Sequence, residues 1–195
     1  MRLGSIHPKR LVQYRNGFSM LEAMIAITLT TMAGTAIVTG LSASVQSSTY
    51  LNHLAMARGL AEQLAQEISA AEFPTASDVV STSTTRDGFN DLDDYHNWSS
   101  SPPVDRTGRT LGTQSVTAGA QRVAAMRVDT ALLSRFRREV VVERVTPNQT
   151  SGWDTTIQNS NYRRVTIRVG FQDNEGTEQQ LIEQTQIYSY VPLTP

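Results

Sequence analysis

The sequence predicts an α+β protein: one long N-terminal helix, its first half transmembrane, packed on a small antiparallel sheet. Three observations carry the prediction. No proline stands between residues 18 and 73. Residues 18–45 hold only Phe, Met, Leu, Ala, Ile, Val, Gly, Thr and Ser, with the single exception of Glu22. Near the other end, Val165, Ile167, Val169 and Phe171 alternate with Arg164, Thr166, Arg168 and Gly170, the period-two pattern of a half-buried strand.

The first 17 residues are a basic leader. They contain Arg2, Lys9, Arg10 and Arg15 and no acid, so the net charge of −1 leaves residues 18–195 at −5. A basic head, an apolar run and a mildly acidic remainder is the order of a chain that meets a membrane at its N-terminus. By the rule that positive flanks stay inside, residues 1–17 remain in the cytoplasm and the C-terminal bulk crosses. Cysteine is absent, which excludes a disulfide framework, a thiolate metal site and a cysteine nucleophile.

The span covers about residues 18–42, and a bilayer needs roughly 20 helical residues. Thr28, Thr30, Thr31, Thr35, Thr39 and Ser42 dilute it, but their hydroxyls can bond back to carbonyls one turn earlier. A plain signal anchor fits this run. So does a secretory signal, with a small-residue cleavage site at Leu41, Ser42 and Ala43. Neither accounts for Glu22, because an acid within the bilayer costs on the order of 3 kcal/mol.

Glu22 has a reason in a third reading. Gly17, Phe18, Ser19, Met20, Leu21 and Glu22 follow the basic leader and open the apolar run. This arrangement resembles the processing motif of type IV prepilins and of type II secretion pseudopilins. The resemblance implies cleavage after Gly17 by a prepilin peptidase and N-methylation of Phe18. Glu22 is then the fifth residue of the mature chain. The new ammonium of Phe18 and the carboxylate of Glu22 lie four residues apart, on one face if both are helical, and an anion in the first turn suits the helix dipole. Family resemblance implies that Glu22 pairs with the terminal amine of a neighbouring subunit. Pairing within the chain, or protonation of a desolvated acid, is the plainer alternative.

After residue 45 the helix turns amphipathic. Leu54, Ala57, Ala61, Leu64, Ala65 and Ile68 recur at steps of three and four, with Glu62, Gln63, Gln66 and Glu67 between them. Pro74 is the expected stop. A helix over residues 18–73 would be roughly 80 Å long, half in the membrane and half laid on a head. Residues 30–40 are poor in helix formers. They are either a weak point or an ordinary closely packed membrane helix.

Residues 74–195 form the periplasmic head. Residues 74–125 read as loop, broken at the Ser99–Ser101 run by Pro102 and Pro103. Strands are expected over 136–145, 162–171 and 180–191, the last two joined by a hairpin at residues 173–176. Residues 126–134 fit a short helix or a strand equally. An antiparallel sheet with one apolar face packs on the second half of the long helix, which is also the fold the pilin resemblance implies.

The densest polar cluster is Asp87, Asn90, Asp91, Asp93 and Asp94. These hard oxygen donors suit a calcium loop. Their spacing is not that of an EF-hand, and the competing reading is a solvated turn or side chains capping backbone amides. No other cofactor is expected. Arg135, Arg137, Arg138, Arg144, Arg163, Arg164 and Arg168 give the sheet a basic character. Interleaved acids such as Glu139 and Glu143 favour cross-strand pairing on a solvent face over nucleic-acid binding. The histidines are scattered, and no catalytic fingerprint is present, so no enzymatic activity is expected.

The resemblance implies a minor subunit of a type IV pilus or pilus-like filament, anchored first in a bacterial inner membrane with other pilin subunits and a prepilin peptidase as partners. The lack of cysteine departs from major pilins, whose C-terminal loop is often closed by a disulfide. A type II secretion pseudopilin is the alternative within the family. A membrane-anchored binding module that never polymerises, its head taking a ligand or DNA, is the alternative outside it.

Overall fold

The computed structural model describes residues 17–74, 83, 85–112, 128–150, 152–173 and 175–191. The leader before Gly17 lies outside them. So do residues 75–82, 84 and 113–125 of the expected loop region, residues 126 and 127 of the ambiguous stretch, and residue 174 of the hairpin. The chain divides into two compact units, Met1–Ser48 and Thr49–Pro195, and helix α1 (Met20–Ser69) contributes to both.

In the first unit every described residue is exposed, the apolar ones included, from Phe18 at 77% to Val45 at 65%. The helix here is long and apolar enough to cross a membrane. It is unbroken through residues 30–40. The expected back-bonding is made by all five threonines. Thr30 donates to the Ala26 carbonyl at 2.7 Å, Thr28 to Ile25 at 2.8 Å, and Thr31, Thr35 and Thr39 each reach carbonyls three and four residues back. Each hydroxyl thereby satisfies its donor inside the helix, which makes the run tolerable in hydrocarbon.

In the second unit α1 buries Ala57, Ala61, Leu64, Ala65 and Ile68, the stripe read from their spacing; Leu54 is half-buried. Three alanines on one face let the helix approach the sheet closely. The helix ends at Ser69, short of the expected Phe73. The chain tightens there, with Ala70 donating to Glu67 and Ala71 to Ile68. Glu72 then leaves the helix to pair with the acidic loop: its N–H donates to the Asn90 carbonyl and its carbonyl accepts from Leu92. That bridge, rather than Pro74, takes the backbone groups a further turn would have used.

Among the described residues five strands form the antiparallel sheet, two more than expected. They are β1 (Ser99–Ser100), β2 (Phe136–Asn148), β3 (Gly152–Thr155), β4 (Tyr162–Gln172) and β5 (Glu178–Ser189), in the order β1-β2-β4-β5 with β3 also on β2. The β4–β5 hairpin closes as expected at Asp173, whose side chain accepts from the N–H groups of Glu175 and Thr177, with Gly176 at φ 85°. Such a positive φ suits glycine. The ambiguous stretch resolves into a short helix, α2 (Thr130–Leu133), because Asp129 caps it by accepting from the Ala131 N–H at 2.9 Å. The core joins the alanine stripe to Phe136, Val140 and Val142 of β2, to Val165, Ile167, Val169 and Phe171 of β4, and to Phe89, Leu92 and Tyr95 of the loop.

Candidate functional site

The N-terminal motif lies at the entry to α1. Gly17 and Phe18 are exposed and precede the helix, whose first residue is Met20. A Cβ placed on Gly17 would meet nothing within 4 Å, so among the described residues no side chain crowds that position. Ser19 caps the helix. Its Oγ accepts from the Glu22 N–H at 3.2 Å and its carbonyl from the Ala23 N–H at 3.1 Å. The order Ser-x-x-Glu is that of a capping box, a signal the motif reading passed over. Phe18 therefore stands outside the helix, and the helical i, i+4 geometry between Phe18 and Glu22 is not formed in the chain that still carries residues 1–17. Among the described residues no basic group pairs with Glu22.

The acidic loop docks onto the C-terminal end of α1. Two single-turn 3-10 segments, Arg86–Gly88 and Asp93–Tyr95, carry it. Asp91 is buried, and its Oδ1 accepts from the N–H groups of Asp93 at 2.7 Å and Asp94 at 3.2 Å. Burial pushes its carboxyl pKa up, against the opposing pull of the Asp93 amide. Asp94 Oδ2 accepts from the Asn90 N–H at 2.9 Å. Asp93 faces the other way and takes a bidentate pair from Arg163, at 2.6 and 3.1 Å, with Arg144 at 3.5 Å. Asp87 accepts from the Thr85 hydroxyl and is exposed. Among the described residues no group of three or more His, Asp or Glu side chains converges as a metal site would require.

Beside this loop lies a buried charged cluster. Arg86 and Arg138 are 1% and 0% exposed. Arg86 forks onto Glu67 of α1, Nε to Oε1 at 2.7 Å and Nη2 to Oε2 at 3.0 Å, and Nη2 also reaches the Val104 carbonyl at 3.1 Å. Arg138 Nη2 donates to the same carbonyl. The Tyr95 hydroxyl donates to Glu67 Oε1 at 3.3 Å. Trp98 offers its ring to both guanidinium groups, 4.2 Å from Arg86 and 5.6 Å from Arg138. Burial, then the charge of Glu67, pushes the Tyr95 hydroxyl pKa up to about 12. Burial and the Arg86 cation push Arg138 down to about 10.

The basic sheet thus divides. Arg164 pairs with Glu143, its direct cross-strand neighbour, and Arg168 with Glu183, each at 2.8 Å, as expected of a solvent face. Arg137 pairs with Glu139 at 2.8 Å. Arg138 and Arg163 correct that expectation, because they sit on the inner face, where Arg163 meets the Asp93 carboxylate of the acidic loop and Arg138 meets the carbonyls of Leu60 and Val104 and the Gln63 side chain. Alternation within β2 puts Arg138 in phase with Phe136 and Val140, which is the one local signal for it. For Glu67 the signal is its three-residue step from the buried Leu64. Arg86, Tyr95 and Trp98 lie in loop and carry no periodic signal.

No known family profile matches the chain, and neither a curated protein nor a solved structure shows significant similarity to it.

Proposed function

We propose that this chain is the precursor of a pilin-like subunit, a minor component of a type IV pilus or pilus-like filament. A prepilin peptidase hydrolyses the Gly17–Phe18 bond and the freed amine of Phe18 is methylated. The apolar half of α1 holds the subunit in the bacterial inner membrane with the head in the periplasm, and afterwards packs it among other subunits. The chain has no catalytic role in this reading. One observation supports it above the others: an exposed Gly17–Phe18 bond stands just ahead of a capped helix whose first turn holds Glu22 and whose apolar side chains are all exposed through Val45.

The test is intact mass and N-terminal sequencing after co-expression with a prepilin peptidase. The expected product starts at Phe18 and carries one added methyl group. A product starting near Ser44 would overturn the proposal in favour of a secreted protein. An uncut chain would leave a membrane-anchored module in its place.

A further inference from the structure

We propose that Arg86 and Arg138 together hold a buried monovalent anion of the halide class. The inference is independent of the filament reading and starts from a count of charge. Two guanidinium groups, each under 2% exposed, face one carboxylate, Glu67. A third guanidinium, Arg106, donates to the carbonyls of Arg86 and Phe89 at 3.1 Å but is exposed, so water screens it and it stays outside the buried count. The nearby acid Asp105 is committed to Thr107 and to the Arg109 N–H. Among the described residues the buried cluster therefore carries one cation more than its one carboxylate compensates.

Hydrogen bonding leaves the same remainder. Arg86 Nη1 and Arg138 Nε are buried and have no acceptor among the described residues. Buried donors are nearly always paired, so each orphan implies a partner. The Trp98 ring accepts charge over its face but has no lone pair for an in-plane N–H. A water molecule would satisfy the donors and leave the surplus charge. A divalent oxyanion would reverse it. A single small monovalent anion satisfies both counts. Arg138 shares the Val104 carbonyl with Arg86, so the two cations are held against each other, an arrangement an anion relieves.

The experiment uses the full chain in detergent and compares thermal midpoints in chloride, bromide and gluconate at one ionic strength. Chloride and bromide are expected to raise the midpoint over gluconate, by about 4 °C when the halide is tenfold above its dissociation constant. Arg138→Met is expected to remove that difference, because it removes the surplus cation, whereas Arg168→Met on the exposed face should retain it. Bromide-soaked crystals of the unaltered chain should show an anomalous peak within hydrogen-bond distance of Arg86 Nη1 or Arg138 Nε. Equal midpoints in halide and gluconate for the unaltered chain, or density without anomalous signal at that point, would overturn the proposal.

Discussion

Replacing Glu67 by alanine tests what fastens the acidic loop to helix α1. Glu67 is the only acid on the helix side of the cluster, and its side chain is 15% exposed against 1% for Arg86. The change removes the two Arg86 bonds and the Tyr95 bond. Among the described residues it leaves Arg86 and Arg138 with carbonyls and the Gln63 amide as acceptors. Breaking a buried ion pair by deleting one partner costs about 3–5 kcal/mol, since the remaining charge stays buried and unpaired. Partial water access to position 67 argues for the lower end, about 3 kcal/mol. For a unit of this size that corresponds to a fall of about 9 °C in melting midpoint. The assay is thermal unfolding followed by tryptophan fluorescence, because Trp98 lies against both guanidinium groups. Glu62→Ala, an exposed position one turn earlier, serves as control. If Glu67→Ala and Glu62→Ala melt together, the cluster contributes nothing net and the apolar stripe alone holds the helix.

Tyr95 should resist ionisation in alkaline titration. Its folded pKa of about 12 lies above the ordinary value of 10.0, so the stability linked to it is fully present below pH 10 and is lost as pH rises through 12. Tyrosinate absorbance should therefore show Tyr95 titrating late, and its ionisation at the ordinary tyrosine pH would refute the burial argument. Asp93→Ala should destabilise the head by about 3 kcal/mol, since it strands the buried Arg163 cation, as read from urea unfolding. Calcium titration of the unaltered chain should leave the melting midpoint where it is, because Arg163 and backbone N–H groups already engage Asp93 and Asp91; a rise with calcium would reinstate the loop as a metal site. Glu22→Ala should leave cleavage after Gly17 intact and reduce incorporation into filaments, scored by the ratio of filament-bound to membrane-bound subunit. Normal incorporation would refute a pairing role for Glu22.

The regular elements were legible because their periodicity is local. The α1 stripe, the alternation of β4 and the hairpin at Asp173 each follow from a few adjacent residues. Strands β1 and β3 were not, since two and four residues are too short for a period and owe their form to β2 beside them. The buried arginines were hidden for a different reason. Charge alone places an arginine in water. Arg86 and Arg163 are buried only because Glu67 and Asp93 meet them from 19 and 70 residues away. A pairing over that distance leaves no trace in composition or spacing. The candidate N-terminal site is the reverse case, six consecutive residues whose proposed role is read from their local order alone and involves no tertiary contact.

That local site also bears on what Glu22 is free to do. A complete capping box would commit its carboxylate to the Ser19 N–H. Only the serine half is made, with Ser19 Oγ taking the Glu22 N–H. The helix end is thus secured by Ser19 while the carboxylate stays exposed and unpaired among the described residues. Its placement in the first turn is favourable toward the dipole, so the helix tolerates the charge before any partner arrives. Removal of residues 1–17 would put a new ammonium one residue ahead of the cap. It would lie outside the helix, where neither the i, i+4 geometry nor the cap holds it against its own Glu22. In the proposed filament, a carboxylate left open by the cap and an amine left outside the helix would be more readily matched between subunits than within one.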